Sequence, residues 1–392
     1  MYKILHTADL HLGKKFAGSD FDLYEIQKLI MEEIIEVAEK EKVDIVIFAG
    51  DIFDTNNNPV KTEKLFYNTV KQLSGNGERI IITIAGNHDS AQKFELLRPF
   101  SEDLPYFITA GNPAVEFDFY NKIGKFKIKA KGRTVNIEKN EKKINIVLLP
   151  YPAVHRMKGN ITDKEEFNKL SLADKIKFLI KPEKSFKADE TILVSHLFIT
   201  EGKESDSEFN LLGGLERLPI SIFEKSFNYI ALGHLHSFQN IKEKAFYPGA
   251  IFPFTKKELK KKNKSGVIIK KGDKIKFVPF KITDKTKYYK CKSYEEAMLI
   301  LKNKPDMFYY FDMEDVQMEL NSDKELKKSG RGKIIKVEYS LSSRNEIEEM
   351  EEIKLEELKP DIIFTGAYKN LYKKEASKEL VELFMKIYSE VI

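Results

Sequence analysis

Short apolar runs alternate with amphipathic stretches in the first part of the chain, and this alternation predicts an α/β fold. Runs near residues 3–7, 44–49 and 81–85 are typical of buried strands. The two stretches between them repeat apolar residues every three or four positions, which is typical of helices. Such an order predicts a sheet with crossover helices, and functional groups gather beyond the carboxyl ends of its strands.

The first strand is expected from Lys3 to Thr7, and it ends shortly before Asp9 and His11. A helix is predicted between Asp22 and Lys40, because the apolar side chains there recur at helical spacing. The next run, Asp44 to Ala49, is almost continuously apolar and therefore predicts a second buried strand.

Asp51 follows the second strand almost directly, and polar residues follow the third strand in the same way. A helix is predicted from Lys61 to Leu73, and the run Ser74-Gly75-Asn76-Gly77 ends it. The third strand, Ile81 to Ala85, leads into Gly86-Asn87-His88-Asp89. Polar side chains at a strand end cost free energy if they are buried without partners, so this stretch indicates a metal or phosphate site.

Later in the chain the pattern is less regular, but two apolar runs again end in histidines. Thr191 to Val194 is a predicted strand that ends at Ser195-His196. Tyr229 to Leu232 is another, and it ends at Gly233-His234-Leu235-His236. A further strand is expected at residues 144–150.

The remainder of the chain predicts two smaller parts. The lysine-rich stretch from Lys256 to Lys276 is expected to form a hairpin that closes a first domain of residues 1–280. Residues 281–345 predict a small α+β unit. The tail, residues 346–392, carries two amphipathic helical stripes, and Ser377 is the predicted N-cap of the second.

The composition is that of a globular protein and excludes several classes. Of 392 residues, 42% are hydrophobic, which is enough for a core. The single cysteine, Cys291, excludes a disulfide within the chain and argues against a thiolate zinc site. There is no signal-peptide pattern and no apolar stretch of about 20 residues, so we expect a soluble protein of a reducing cytoplasm. A net charge of +5 permits a polyanionic partner without requiring one.

Six of the seven histidines lie in the strand-end motifs, and only His155 stands apart. Together with Asp9, Asp51 and Asn87 they provide imidazole, carboxylate and amide ligands. This mixed set of nitrogen and oxygen ligands suits manganese, iron or zinc, and suits magnesium less well. The six histidines are His6, His11, His88, His196, His234 and His236.

The number of ligands allows two metal ions. One carboxylate can bridge two ions about 3.5–4 Å apart. Asp51 is the expected bridge, because it comes from the central one of the first three strands. His88 directly follows Asn87 and would point differently. It is therefore interpreted as the residue that stabilises the transition state or protonates the leaving oxygen. His6 is interpreted mainly as a structural histidine, and Asp54 as a residue that caps the following loop.

Taken in order, these motifs resemble the five-part signature of the calcineurin-like metallophosphoesterases. That resemblance implies an α/β sandwich of two sheets flanked by helices, with a dinuclear site and His88 as the catalytic residue. It implies that one metal is held by Asp9, His11, Asp51 and His236. It implies that the other is held by Asp51, Asn87, His196 and His234.

Longer stretches are similar to the SbcD-type nucleases, the meiotic-recombination nuclease family of double-strand-break repair. They are Leu5 to Gly13, Gly50 to Asp54, Gly233 to Gln239 and Tyr247-Pro248-Gly249. This similarity implies a Mn²⁺-dependent exonuclease on duplex DNA ends that is also an endonuclease on single strands and hairpins. It further implies a homodimer, a cytoplasmic function at the nucleoid, and an SbcC-type coiled-coil ABC ATPase bound by the C-terminal helices. Mg²⁺, Fe²⁺ or Zn²⁺ are the alternative metals.

Two positions depart from the usual pattern of that family. Ser195 stands where a glycine is usual, and a change this small should be tolerated. Residues 250–254, which read Ala-Ile-Phe-Pro-Phe, replace a small hydroxyl residue and a charged segment.

In the small unit, residues 281–345, a basic and glycine-containing run predicts a loop that follows a phosphate backbone, with a solvated surface as the alternative. The candidate DNA contacts there are Lys327, Lys328, Arg331 and Lys333.

Two other functions remain open on the same residues. One is a phosphodiesterase or phosphatase of small molecules, which would need neither the small unit nor the tail. The other is a scaffold that keeps the fold without catalysis, although the complete ligand set argues against it.

Overall fold

Two large β-sheets stack face to face and form the body of the protein. The structure is a computed structural model, and it describes residues 1–104, 106–114, 116–157, 167, 169–204, 217–261, 264–341, 377, 380–381 and 383–384. Within those residues the strands are β1 (Lys3–Thr7), β2 (Ile45–Ala49), β3 (Ile80–Ile84), β4 (Phe107–Ala110), β5 (Phe117–Ile123), β6 (Phe126–Gly132), β7 (Thr134–Lys139), β8 (Lys142–Leu149), β9 (Glu190–His196), β10 (Tyr229–Gly233), β11 (Gln239–Ile241), β12 (Ala245–Tyr247), β13 (Gly266–Lys271), β14 (Lys274–Pro279), β15 (Thr286–Cys291), β16 (Phe308–Glu314) and β17 (Ile334–Ser340).

Helices cover the outer faces of these sheets and fill the connections. In the described part they are α1 (Tyr24–Glu41), α2 (Val60–Ser74), α3 (Ala91–Asp103), α4 (Leu172–Leu179), α5 (Lys256–Lys261), α6 (Lys281–Asp284), α7 (Tyr294–Asn303) and α8 (Leu320–Ser329). Short 3₁₀ turns occur at Gly75–Gly77, Val154–Met157 and Ile220–Ile222. No helix among the described residues combines the length and apolar character that a membrane crossing requires.

The first sheet has the strand order β14-β13-β1-β2-β3-β4, and β1 to β4 are mutually parallel. The second has the order β11-β12-β10-β9-β8-β7-β6-β5, and its central strands β8, β9 and β10 are parallel. Aliphatic side chains from both sheets, such as Ile47 and Ile82 from the first and Ile146 and Val194 from the second, form one buried layer between them. This architecture confirms the predicted α/β class and the two-sheet sandwich.

Three antiparallel strands, β5 to β7, were not expected from the sequence, which looked irregular there. The sequence nevertheless carries their signal. In β6 the buried Phe126, Ile128 and Ala130 alternate with lysines, which is the period-two pattern of a strand with one face in water. The high lysine content hides this alternation from a reading that looks for continuous apolar runs.

The predicted hairpin between Lys256 and Lys276 is only partly correct. The hairpin is formed by β13 and β14, whereas Lys256–Lys261 is the helix α5. A capping box starts that helix: the Thr255 hydroxyl accepts from the Glu258 backbone N–H at 3.2 Å. Oε2 of Glu258 in turn accepts from the Thr255 backbone N–H at 3.2 Å. The Thr-x-x-Glu pattern is a helix-start signal that outweighs the lysines around it.

The small unit at residues 286–340 consists of a three-stranded parallel sheet, β15-β16-β17, with α7 and α8 as its crossover helices. It has its own apolar cluster, which includes Cys291, Phe311 and Leu326. Helix α8 was not predicted, and it corrects the expectation of a continuous basic loop. Lys327 and Lys328 lie in the last turn of this helix.

The predicted tail helices lie almost wholly outside the described residues. One detail can be compared with the prediction. The Ser377 hydroxyl accepts a hydrogen bond from the Leu380 backbone N–H at 3.3 Å, which is the contact that an N-cap makes.

Candidate metal centre

The proposed ligands come together where strands from both sheets end at one edge of the sandwich. Backbone hydrogen bonds tie the strand-end loops to one another. The Asp9 N–H donates to Gly50 O at 3.0 Å, and the His11 N–H donates to Asp51 O at 3.0 Å. The loop after β10 joins them, because the His234 N–H donates to both carboxylate oxygens of Asp9, at 2.9 and 3.1 Å. One pocket is therefore assembled from loops of two sheets.

One group of possible ligands consists of Asp9, His11 and His236, all of them buried. Nε2 of His11 lies 3.1 Å from Nε2 of His236. Two imidazole nitrogens at this distance can share a proton in a hydrogen bond or, when both are unprotonated, bind one cation together. The chemistry of this donor set fits a divalent metal.

Asp51 lies at the centre of the cluster. Its Oδ2 is 3.6 Å from Nε2 of His11 and 3.4 Å from Nε2 of His196. It also belongs to two of the three groups of residues that could hold an ion, one with Asp9 and His196 and one with His11 and His88. This is the position that a bridging carboxylate needs.

Asn87 faces the histidines on the other side of Asp51. Its Oδ1 is 3.0 Å from Nε2 of His196 and 3.2 Å from Nδ1 of His234. Its Nδ2 is buried and has no hydrogen-bond partner among the described residues. A buried polar group in this state costs free energy, and a water molecule or ligand in the pocket would offset that cost. All seven predicted ligands therefore lie in one pocket, and this set of donors fits divalent metal binding.

The backbone at four of these ligands adopts the left-handed region. The φ angles are 53° at Asp9, 41° at His11, 51° at Asp51 and 109° at His234. A residue with a side chain pays of the order of 1 kcal/mol or more for such a conformation, and sites that keep it are often functional. The surrounding hydrogen bonds hold these residues in a conformation that aims their side chains into the pocket.

Two glycines are required by close approach. A Cβ at Gly50, where φ is 90°, would lie 2.4 Å from Nδ1 of His196. A Cβ at Gly86 would lie 2.1 Å from Oδ1 of Asp51. Neither position can carry a larger residue without moving a proposed ligand.

Burial keeps three of the histidines neutral. It lowers the pKa of His11 to about 4 and that of His234 to about 3, and it holds the pKa of His236 well below its usual range. A metal ligand must be unprotonated, so these side chains are ready to bind an ion at neutral pH.

His196 behaves differently because it faces Asp51. Burial acts to lower the pKa of His196, but the charge of Asp51 and a hydrogen bond to it raise that pKa to about 9. The pKa of Asp51 is correspondingly held well below its usual range by His196 and His11, against the effect of burial. Nδ1 of His196 lies 2.8 Å from the Ala49 carbonyl oxygen, which fixes the ring so that Nε2 faces the pocket.

His88 is half-buried and fixed at two points. Its backbone N–H donates to Oδ1 of Asp51 at 2.9 Å, and its Nδ1 donates to the Asp54 carbonyl at 2.8 Å. In the neutral ring this contact places the proton on Nδ1 and leaves the lone pair on Nε2. The His88 ring lies edge-on to His11, with ring centres 4.9 Å apart. His88 can therefore act on a substrate, and its grouping with His11 and Asp51 also permits a ligand role.

Asp89 binds the backbone rather than an ion. Its Oδ2 accepts from the backbone N–H groups of Gly86, at 2.8 Å, and Ile52, at 3.1 Å. Its Oδ1 accepts from the Phe53 N–H at 2.9 Å. Burial, reinforced by the charge of Asp51, raises the pKa of Asp89 to about 6. Asp89 thus ties the turn after β3 to the loop after β2.

His6 and Asp54 have different roles. The His6 ring is buried between the Tyr229 hydroxyl, 2.9 Å from Nδ1, and the Leu232 carbonyl, 3.1 Å from Nε2, as the structural interpretation expected. Asp54 was expected to cap the following loop, but the contacts of its side chain are with His11 and Lys14. Its Oδ1 lies 3.4 Å from Nδ1 of His11 and 3.2 Å from Lys14 Nζ, so it orients a proposed ligand from behind.

Two residues next to the centre had been given no role from the sequence. Arg156 donates to the backbone carbonyls of Gly86 and Asp89 at 3.0 and 3.1 Å, and no motif marks it. The ring of Phe254 lies 5.7 Å from that of His11 and 6.1 Å from that of His236. The unusual segment 250–254 therefore supplies an apolar wall to the pocket.

The four candidate DNA contacts lie on the small unit and are not part of this pocket. Two of them are already paired: Lys327 with Asp323 at 2.7 Å, and Lys333 with the Pro305 carbonyl at 2.7 Å. Lys328 and Arg331 are exposed.

The chain is similar to several known proteins. The profile of the family described as calcineurin-like phosphoesterase matches residues 2–238. A curated relative from Bacillus subtilis (strain 168), the SbcD component of the nuclease SbcCD, is 30% identical over 247 residues. These residues are 61% of this chain and 58% of the relative, so the match covers less than two thirds of the relative's length.

A solved crystal structure, that of the protein TT1561 of Thermus thermophilus, is also similar. The TM-score is 0.38 at 9% sequence identity, over 71% of this chain and 98% of that one. A similarity of this size carries no argument about function. The family profile, in contrast, covers more than half of this chain and spans every proposed ligand from Asp9 to His236. The chain belongs to the calcineurin-like phosphoesterase family.

Proposed function

We propose that this protein is a manganese-dependent DNA nuclease that hydrolyses phosphodiester bonds at a dinuclear metal centre. The observation that carries the proposal is the position of Asp51, whose Oδ2 lies within 3.6 Å of histidines on both sides of the pocket. In this proposal one ion is held by Asp9, His11, Asp51 and His236. The other is held by Asp51, Asn87, His196 and His234.

Each residue then has a defined task. Two bound metal ions would supply a water nucleophile at neutral pH and neutralise charge on the phosphoryl group. Asp51 fixes the position of the two halves of the pocket relative to each other. The Nδ1–H of His88 donates to the Asp54 carbonyl, so Nε2 is the atom that faces a substrate. When Nε2 also carries a proton, it can donate that proton to the leaving oxygen or hydrogen-bond to a phosphate oxygen. His11, His234 and His236 remain neutral because they are buried, and they supply lone pairs without first losing a proton.

DNA is the proposed substrate, for two reasons. The relative from Bacillus subtilis is named as part of a nuclease, and its match covers 61% of this chain. The small unit also carries exposed basic side chains, Lys328 and Arg331, that a small-molecule enzyme would not need. An SbcC-type ATPase bound by the C-terminal helices, a homodimer and a cytoplasmic, nucleoid-associated role belong to the same proposal.

The first test compares two substrates. The full chain, stripped of metal with EDTA and reloaded with Mn²⁺, is incubated with end-labelled linear duplex DNA and, separately, with bis-p-nitrophenyl phosphate. We expect Mn²⁺-dependent cleavage of the DNA. Hydrolysis of the small ester alone would favour the second candidate, a small-molecule phosphodiesterase or phosphatase, which uses the same pocket. No hydrolysis of either substrate would favour a scaffold.

The second test concerns His88. We expect His88→Gln to lower the rate of DNA cleavage by about 10²–10⁴-fold, the usual range for a lost acid or base. Mn²⁺ affinity, measured by calorimetry on the same samples, should change little. A large loss of Mn²⁺ affinity would instead make His88 a ligand.

The third test concerns the small unit. Replacing Lys327, Lys328, Arg331 and Lys333 by Gln should weaken duplex binding and make its dependence on salt shallower, because fewer phosphates are neutralised. The matched control replaces the β6–β8 lysines at 127, 129, 131 and 143, and so removes the same number of charges. Equal effects of the two sets would contradict a DNA-binding role for the small unit.

A further inference from the structure

Arg156 lies beside the turn Gly86-Asn87-His88-Asp89 and contacts both of its ends. Nη1 donates to the Gly86 carbonyl at 3.0 Å, and Nη2 donates to the Asp89 carbonyl at 3.1 Å. The two residues between these carbonyls are Asn87 and His88, a proposed ligand and the proposed catalytic residue. A planar guanidinium can hold two oxygens at a fixed spacing, whereas a lysine ammonium is a single point charge.

The element that carries Arg156 is itself anchored to the turn. The Tyr151 N–H donates to the Ala85 carbonyl at 2.9 Å, and the Arg156 guanidinium lies 5.8 Å from the centre of the Tyr151 ring. Both residues follow β8, which belongs to the second sheet, whereas the turn follows β3 of the first. Arg156 therefore joins the two sheets at the rim of the pocket.

The position is also electrostatically suited to a cation. Burial lowers the pKa of Arg156, while the carboxylates of Asp89 and Asp51 act in the opposite direction and favour its charge. A half-buried guanidinium next to buried carboxylates offsets part of their mutual repulsion. Asp89 holds the turn from inside through three backbone N–H groups, and Arg156 holds it from outside through two carbonyls.

We propose that Arg156 is a positioning residue, which clamps this turn from outside and so aims Asn87 and His88 into the pocket. This clamp is a statement about the geometry of the turn. It rests on the proposed function only where it says what chemistry Asn87 and His88 perform. Arg156 need not touch the substrate or an ion to have this effect. Second-layer contacts of this kind commonly change metal affinity or activity by about 10–100-fold.

The chain offers a matched control for this idea. Arg133 also donates to two backbone carbonyls, Pro113 O at 2.6 Å and Ala114 O at 3.4 Å, but in a different loop. Burial lowers its pKa as well. Arg133→Met should therefore lower the free energy of unfolding as Arg156→Met does, but it should not loosen the turn Gly86-Asn87-His88-Asp89.

The experiment compares the full-length wild type with Arg156→Met, Arg156→Lys and Arg133→Met. Amide hydrogen exchange is measured by mass spectrometry on peptides that cover residues 84–92, first without metal. Mn²⁺ affinity is then measured by calorimetry. We expect at least roughly tenfold faster exchange of the turn and about 10–100-fold weaker Mn²⁺ binding in both Arg156 variants, and neither effect in Arg133→Met. Arg156→Lys keeps the charge and should fold even if Arg156→Met does not.

The outcomes separate the clamp from the proposed function. Unchanged exchange of the turn in the Arg156 variants would overturn the clamp, even if the wild type is an active nuclease. Full recovery by lysine would also overturn it, because charge alone would then be sufficient. Faster exchange that is confined to the Arg156 variants supports the clamp, even if the wild type cleaves no DNA and the proposed function fails.

Discussion

His6 lies three residues before the first proposed ligand, yet both nitrogens of its ring already contact other groups of the protein. Burial lowers its pKa to about 3, whereas the unfolded chain has the ordinary value of 6.5. Between these two values the unfolded state binds one more proton at this position. The contribution of His6 to the free energy of unfolding is therefore fully present above pH 6.5. It decreases as the pH falls towards 3, by up to about 1.4 kcal/mol per pH unit.

His6→Gln should remove this contribution. We expect the free energy of unfolding, measured with urea in EDTA, to depend less steeply on pH between about pH 6.5 and 4 in the variant. Tyr229→Phe is the control, because it removes one hydrogen bond from the His6 ring and leaves the titrating group in place. Parallel pH curves for His6→Gln and the wild type would show that another group carries the dependence.

Asp89 can be tested by an isosteric change. Both of its carboxylate oxygens accept backbone N–H groups, so Asp89→Asn would turn an NH₂ group towards a backbone donor. We expect a loss of about 3 kcal/mol, since a buried, charged hydrogen-bond network is broken. Asp22→Asn, at an exposed carboxylate, should cost less than about 1 kcal/mol. Similar losses in the two variants, measured by urea unfolding, would contradict this role for Asp89.

Glycines at the ends of the strands limit which substitutions the following loops tolerate. Gly50 and Gly132 both have positive φ angles, 90° and 57°, but only Gly50 faces a neighbour, the ring of His196. Each Ala substitution should cost about 1–2 kcal/mol for the backbone. Gly50→Ala should additionally weaken Mn²⁺ binding by at least roughly tenfold, because its Cβ displaces His196, whereas Gly132→Ala should leave the affinity unchanged. Equal Mn²⁺ affinities by calorimetry would argue against His196 as a ligand.

The strand-end motifs were predictable because each belongs to a short local pattern, an apolar run followed by polar residues. The family that they indicated is confirmed by the profile match. The strands β5 to β7 were missed because alternating lysines conceal a half-buried sheet, and α8 because its residues are mostly polar. Arg156 could not be found from the sequence, since its contacts are with carbonyl groups 67 and 70 residues earlier and have no side-chain signature.

At the scale of the whole molecule, a cluster of charges joins the small unit to the body. Nζ of Lys256, on α5, lies 3.2 Å from Oδ2 of the buried Asp312 and also contacts Glu338. The Tyr310 hydroxyl donates to Glu338 at 2.7 Å. Apolar packing supports the same junction, since the rings of Phe16 and Tyr310 are 5.6 Å apart.

Lys256→Met would remove the cation that Asp312 and Glu338 share, and only the longer contact of Lys336 with Glu338, at 3.9 Å, would remain of these ion pairs. We expect a loss of about 2 kcal/mol, below the full cost of breaking a buried pair because Lys256 and Glu338 are partly exposed. Hydrogen exchange should rise in the strands of the small unit, residues 286–340. Lys276→Met, which breaks an exposed pair with Glu41, should cost less than about 1 kcal/mol. Equal effects of these two variants would show that the cluster does not hold the unit in place.

The pocket has one further consequence, which concerns the order of events during synthesis. His11 and His236, whose Nε2 atoms lie 3.1 Å apart, are separated by 225 positions in the chain. A nascent chain that ends before His236 therefore lacks a member of the proposed first ion site, however well its early strands have folded. Contacts so distant in sequence form late, because the entropy of closing a long loop must be overcome first. The proposed metal centre therefore cannot be complete before both sheets have come together.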